Sequence, residues 1–380
     1  MASEIKIESP EELKLKESLK DRDDAEAKRM LRFLNMPDLS RAPESPIHEL
    51  VERIANLGDF KNFDIIQVPE IVQADIHFDL FNFPKDHPAR SRSDTYYVDE
   101  NHILRTHTTI MWYYYLMNEE VKKRIAKNEP MGALSYGKVY RKDEIDRNHM
   151  NVFHQVDGWY LVPRSQKTIT MSDLQDILVK IVQAIFGKDI KYRFNEDTFP
   201  FTDPSVEIEI NINDRWIEIV GSGVVRASVL KNLGIDPESY TGWAFGFGLE
   251  RLAIISMELH DIRLLWSEDP RVKKQLKLGN KFKEVSKFPP ITRDISFVVS
   301  KDFIPNNYFD LIRDLGGDLI EEVWLADKYE NAEKFGNNKI SYTYHIVYRS
   351  NERTLTSEEV DKIQANIYSE TAKQFGAELR

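Results

Sequence analysis

One segment limits the fold more than any other. Residues 241–254 read Thr-Gly-Trp-Ala-Phe-Gly-Phe-Gly-Leu-Glu-Arg-Leu-Ala-Ile. The first half is small and aromatic, Gly246-Phe247-Gly248 is spaced like a short turn, and an apolar helix begins at Leu249. Glycine has no Cβ to hold a ligand away from the backbone, and the helix start that follows favours anions. Arg251, one turn in, can reach an anion or lay its planar guanidinium on a base. A lone G-x-G is a weak signal. The same residues would also make a buried strand–helix corner, with Arg251 paired to Glu250 or in solvent. What decides is the company this segment keeps.

Just upstream lies a hairpin. Val206, Ile208, Ile210 and Ile212 alternate with Glu207, Glu209 and Asn211; Asn213-Asp214 turns; Trp216, Glu218 and Val220 then alternate with Ile217 and Ile219. A period of two around a polar turn is the pattern of antiparallel strands. It puts Glu218 on one face with Trp216 and Val220, where a carboxylate is costly unless it meets a cation, a metal or a donor. A second pair lies earlier: a strand over 137–141, a charged loop over 142–151 and a return strand over 152–158. On the return strand Phe153, Gln155 and Asp157 share a face. On a solvent face that row is unremarkable. On a pocket floor it would stack a flat ring and hold an ammonium group.

Helices stand between these strands. Ile47, Leu50, Val51 and Ile54 have helical spacing, Gly58 ends that helix, and a strand over 63–68 is closed by Pro69. Ser172-Asp-Leu-Gln175 reads as a capping box. It opens a helix with Leu174, Ile177, Leu178, Ile181, Val182 and Ile185 inward, stopped at Gly187. Residues 81–90 are too proline-rich for regular structure. A strand from 103 ends in His107, Thr108 and Thr109, which could line a polar pocket or serve turns and caps. Phe199 and Phe201 flank Pro200. The fold class is α+β.

The 380 residues allow two or three domains. Residues 1–44, charged and sparsely apolar, read as an appended helical arm, helical from Pro10 to about Leu34. Residues 45–270 hold every segment above. Residues 271–287 carry seven Lys or Arg against one Glu: a basic linker, either solvated or in contact with phosphate. Residues 288–380 order as βαββαβ, a ferredoxin-like unit. Ile295, Phe297 and Val299 mark its first strand, and Ile340, Tyr342, Tyr344, Ile346 and Tyr348 mark another. That unit has 11 basic and 16 acidic residues, so composition offers no basic RNA-binding face.

The whole chain is at net charge -11, so any RNA contact must come from a local stripe. The absence of cysteine excludes disulfides, thiolate zinc sites and cysteine nucleophiles. No run approaches a membrane span. The first residues are rich in Asp and Glu and have no apolar core, unlike a secretory or transit leader. The expectation is a cytoplasmic protein, with a mature organellar protein whose leader is removed as the alternative.

From about Ser45 to Arg380 these segments resemble the class II aminoacyl-tRNA synthetases, and within them the phenylalanyl-tRNA synthetase family, single-chain organellar type. The helix, strand and Pro69 look like motif 1. Residues 137–158 look like motif 2 with its loop and return strand, and 242–253 look like motif 3. Residues 81–90, 104–109, 199–201 and 216–225 look like signatures of this family. The resemblance implies a class II antiparallel sheet flanked by helices, then a ferredoxin-like anticodon-binding domain. It implies ligation of phenylalanine to tRNA(Phe) with ATP and Mg2+, no membrane, and a monomer.

The same resemblance assigns residues. Arg141, with Arg251 and Glu218, is catalytic; Arg141 would hold the α-phosphate and the attacking carboxylate. Phe153 and Arg251 would sandwich the adenine. Asp143, Asn148, His149 and Met150 would lie along ATP, and Glu218 would meet it through magnesium. His107, Thr108, Thr109, Gln155, Val156 and Asp157 would surround the amino acid. Phe199 and Phe201 would pack on its ring, and Ala244 and Phe245 would close the pocket. Asp143 and Asp157 stand where bacterial members of the family usually have Glu; the shorter arm implies an extra water or a tighter pocket. Two rival readings are a related enzyme that activates an aromatic amino acid for a non-tRNA acceptor, and a non-catalytic tRNA-binding paralogue.

Overall fold

Alternation becomes sheet. The computed structural model describes residues 3–284 and 288–379; 285–287, the end of the expected linker, lie outside the described residues. Its first ten strands are β1 (Glu4–Lys6), β2 (Asp64–Gln67), β3 (Ile71–Gln73), β4 (His102–Leu104), β5 (Met131–Tyr140), β6 (Val152–Pro163), β7 (Tyr192–Asp197), β8 (Thr202–Ile212), β9 (Arg215–Val225) and β10 (Tyr240–Gly248). Eight form one sheet in the order β1-β2-β5-β6-β10-β9-β8-β7, while β3 pairs with β4. β2 is parallel to β1 and β5, and the other pairs are antiparallel. Asn213 and Asp214 both take positive φ at the β8–β9 turn, as a two-residue hairpin requires.

The sheet has two packed faces. Behind it, Phe60, Phe63, Tyr160, Trp243, Phe245 and Phe247 pack ring on ring. Gly158 makes room for this layer: a Cβ there would stand 2.2 Å from the Phe245 ring. Helices Pro46–Ala55, Met171–Phe186 and Leu249–Met257 pack together. The second of these opens earlier than expected. Thr170 and Asp173 form its capping box, and Ser172 and Gln175 lie inside the helix, because Thr170 has the extended backbone that a cap needs. In front, Trp112 stacks on Trp159 at 5.2 Å in a core with Tyr115, Leu161 and Ala244.

The N-terminal segment is more than an appended helix. It contributes β1 to the main sheet and then two helices, Pro10–Lys20 and Ala25–Asn35, the second capped by Asp24. The first helix ends at Lys20 with Asp21 as its cap, and Asp24 opens the second by accepting the Ala27 N–H. Glu12 accepts the Glu70 N–H at 2.9 Å. The buried Lys138 ammonium donates to the carbonyls of Leu34 and Met36, both at 2.8 Å, capping the end of the second helix.

By contacts the chain divides into two units. The first holds everything described before Arg141, Val152–Leu259 and Leu276–Lys281; the second holds Arg141–Asn151, His260–Gln275 and the chain from Phe282. The second is built on β11 (Ile291–Ser300), β12 (Ile320–Tyr329), β13 (Lys339–Tyr348) and β14 (Glu378–Leu379), antiparallel in the order β12-β13-β11-β14. Helices Pro305–Gly316 and Ser357–Phe375 complete the ferredoxin-like βαββαβ order. Phe297, Tyr308, Tyr344 and Tyr348 fill its core, joined by Ile145 from the 141–151 loop.

Candidate active site

The glycines of 241–254 do not make a turn. β10 runs on through Gly248, and the helix starts at once with Gly248 as N-cap at φ −78° and ψ 127°. These glycines serve space, not backbone conformation. On the front face the ladder neighbours of Gln155 and Asp157 are Gly248 and Gly246, and Gly221 lies beyond Gly246. Ala244 faces Gly223. The floor of this region is thereby stripped of side chains, which lets a ligand lie on the backbone. A Cβ on Gly246 would stand 2.8 Å from an Asp157 carboxylate oxygen.

Asp157, 4 % exposed, closes one end of this trough. The Thr108 and Thr109 hydroxyls donate to its two oxygens, Thr109 at 2.7 Å, and the Thr108 N–H donates to Gln155 Oε1 at 3.3 Å. The His107 ring lies between those of His77 at 3.9 Å and Phe83 at 5.6 Å. Phe201 packs against Phe83 and edge-on to Trp112, and Phe199 stacks on Phe201 at 6.0 Å. The sequence reading misses His77, Phe83 and Trp112. The one signal for Phe83 is a pair of aromatics, Phe81 and Phe83, inside an irregular stretch.

Two residues expected around the amino acid are turned away from the trough. Phe245 alternates to the back face, against Phe60, Trp243 and Phe247. Val156, buried opposite Phe247 in the ladder, alternates away from Gln155 and Asp157 in the same manner. Ala244 keeps the front face.

Phe153 and Arg251 mark the other end. Phe153 Cδ2 would lie 4.0 Å from a Cβ on Gly248, and Arg251 donates to the Glu218 carbonyl at 3.3 Å. Arg251 does not pair with Glu250, whose buried carboxylate bonds His154. Glu218 also departs from expectation. An irregularity in the β8–β9 ladder leaves Ile219 between the pairs Ile208–Val220 and Glu209–Glu218. A one-residue bulge reverses the faces, so Glu218 shares its face with Trp216, Glu207 and Glu209 while Val220 is buried behind. Partial burial, then the charge of Glu207, push the Glu218 carboxyl above its usual range, against the pull of Arg251.

Arg141, Asp143, Asn148, His149 and Met150 lie on the loop that groups with the second unit. At its base the Arg141 N–H donates to the Asn151 carbonyl at 3.0 Å, and the Asn151 side chain returns a bond to the Arg141 carbonyl. Asp146 accepts the N–H groups of Asn148 at 2.6 Å and His149 at 2.8 Å. Burial pushes Asp146 up, but its bonds from His149 and Asn148 outweigh this and hold it low. Asn151 also reaches Asp310 at 3.1 Å, and the Val323 N–H donates to the Ile145 carbonyl at 3.0 Å.

A helix-backed antiparallel sheet with a bare trough, followed by a ferredoxin-like fold, is the architecture of a class II aminoacyl-tRNA synthetase. Family comparison agrees: residues 33–276 match the tRNA synthetases class II core domain (F), and residues 286–380 match the ferredoxin-fold anticodon binding domain. A phenylalanine--tRNA ligase, chloroplastic/mitochondrial, of Arabidopsis thaliana is 37% identical over 359 residues, 90% of this chain and 80% of the relative. The mitochondrial phenylalanine--tRNA ligase of Mus musculus is 35% identical, over 83% of this chain and 74% of its own. The phenylalanine--tRNA ligase alpha subunit of Caldicellulosiruptor bescii is 38% identical over 242 residues, 60% of this chain and 66% of its own. The chain belongs to the phenylalanine--tRNA ligase family.

Proposed function

We propose that the trough between Asp157 and the Phe153–Arg251 pair holds phenylalanine and ATP during adenylate formation. The observation that carries the reading is the bare glycine floor, with a buried, threonine-held carboxylate at one end and, at the other, Phe153 beside Gly248 and Arg251 bonded to the Glu218 carbonyl. The amino acid carboxylate attacks the α-phosphorus of ATP, an O–P bond forms, and the bond to pyrophosphate breaks. A ribose hydroxyl at the tRNA 3′ end then attacks the acyl carbon, and AMP leaves. Such displacement needs positioning and positive charge more than a base. Asp157 and Gln155 take the ammonium group; Phe199 and Phe201, with Phe83, take the ring; Phe153 and Arg251 take the adenine. Arg141 carries the α-phosphate charge, with Asp143, Asn148, His149 and Met150 along the triphosphate.

Glu218 is the residue that would hold magnesium. Its carboxyl is held high by partial burial and then by the charge of Glu207, an environment that a cation would relieve. Among the described residues no group of three His, Asp or Glu side chains could hold a metal unaided. That suits magnesium, which one or two carboxylates hold together with substrate phosphates. When bound it neutralises phosphate charge.

Glu218→Gln should separate function from stability. With its carboxyl pKa raised on folding, the folded state binds more protons than the unfolded one, so stability falls as pH rises through the raised value. At neutral pH the ionised Glu218 therefore costs stability, and the glutamine variant should melt higher, a gap that closes as pH drops toward the carboxylate range. Its ATP–pyrophosphate exchange should fall roughly 10- to 100-fold, the scale of a perturbed metal site. Full exchange in the variant would remove Glu218 from the site.

The ferredoxin-like unit contacts the tRNA in this reading. We also propose a monomer, since β1 of the same chain covers the edge of β2; sedimentation tests this. The relatives' organellar names support an organellar location over a cytoplasmic one. No helix among the described residues is long and apolar enough to cross a membrane.

A further inference from the structure

Phe153 and Arg251 face the trough, and each has an immediate chain neighbour turned to the back of the sheet. Those neighbours, His154 and Glu250, are bonded to one another. The Glu250 oxygens accept the His154 N–H at 2.9 and 2.8 Å, and His154 Nδ1 lies 2.6 Å from Glu250 Oε1. On the far side of the ring, the Leu39 N–H meets His154 Nε2 at 2.9 Å. A backbone N–H can only donate, so Nε2 is the acceptor and the ring proton sits on Nδ1, donated to Glu250. Asp38 Oδ1, 3.4 Å from Nε2, is engaged by the Ser40 N–H and hydroxyl. His154 is 0 % exposed and Glu250 3 %.

We infer that His154, locked between Glu250 and the turn at 38–40, is a positioning residue for ATP: it fixes the spacing of Phe153 and Arg251. This rests on the reading of that pair as the walls around the adenine. Strand β6 and the helix after β10 meet back to back through these bonds, one residue from each wall. Stacking depends steeply on separation: a gap of about 0.5–1 Å forfeits a quarter to a half of the attraction. Gln155 and Asp157 are held separately, by the ladder and by Thr108 and Thr109, so the amino acid end does not depend on this lock. The N-terminal segment, through one backbone N–H, thereby helps to set the nucleotide end of the site.

Steady-state exchange kinetics in the full chain test this. His154→Phe keeps a buried ring and deletes both ring hydrogen bonds. It should raise KM for ATP roughly tenfold or more, with KM for phenylalanine changed less than about twofold. His154→Gln, whose amide can donate to Glu250 and accept from Leu39, should restore most of the affinity. Leu39→Pro removes the N–H donor and trims a buried side chain. Leu39 opens a 3-10 turn, where proline is tolerated, and Asp38 is already extended. This variant should raise KM for ATP in the same direction, by less. An unchanged KM for ATP in a folded His154→Phe protein, or equal rises for both substrates, overturns the inference. Phe153→Leu separates the two levels. If it leaves KM for ATP unchanged, the adenine reading itself fails. If it raises KM for ATP while His154→Phe does not, only the positioning role falls.

Discussion

Arg141→Lys lowers ATP–pyrophosphate exchange by roughly 10²–10³, the cost of losing one preorganised donor to a developing oxyanion. Lysine keeps the charge but is a point cation on a flexible stem, whereas the guanidinium offers two parallel donors in one plane. The α-phosphate and the attacking carboxylate each present oxygens to such a fork. Arg141 follows the last residue of β5 directly, and its N–H and carbonyl are both tied to Asn151. Its backbone is therefore fixed, and the substitution alters the head group alone. The loss should fall mainly on kcat, because the interaction strengthens as charge develops on phosphorus. Exchange near that of the parent would remove Arg141 from the transition state.

Asp157→Asn should cost as much, and differently. Asp157 is the buried carboxylate of the trough, held by Thr108 and Thr109. Leaving a substrate ammonium without its buried countercharge costs about 3–5 kcal/mol, or roughly 10²–10³-fold or more in kcat/KM. The loss should appear for phenylalanine and not in KM for ATP, the reverse of the pattern expected for His154. Asparagine keeps the shape and can still accept from one threonine, so the fold should survive; thermal melting checks that. An unchanged KM for phenylalanine would mean the ammonium group lies elsewhere.

These two residues were reached by different routes. Asp157 follows from strand periodicity: Phe153, Gln155 and Asp157 alternate, and β6 keeps that alternation. Arg141 came from resemblance, since a cation at a strand end has no signature of its own. The strands of the ferredoxin-like unit were plain in the sequence because Tyr342, Tyr344, Ile346 and Tyr348 all face one core. Other features were hidden for physical reasons. A bulge adds one residue with no composition of its own, so Ile219 gave no warning that Glu218 and Val220 would part. Gly246 and Gly248 looked like a turn because glycine marks both turns and close approach, and only the Asp157 carboxylate across the ladder shows which. The same period of two sends Val156 and Phe245 behind the sheet, whereas the resemblance sets them around the amino acid. Glu250, His154 and Leu39 meet only through space, across 96 and 115 residues of chain. Ile145, an apolar residue in a charged loop, belongs to the core of the second unit.

As a member of its family, this chain activates phenylalanine and passes it to tRNA. The most direct measurement is ATP–pyrophosphate exchange by the purified protein with each aromatic amino acid, followed by charging of tRNA(Phe). Exchange strongest with phenylalanine, with alkali-labile phenylalanyl-tRNA formed when tRNA is added, is the predicted result. Exchange without charging would favour a non-tRNA acceptor, and no exchange by a folded protein would contradict the account.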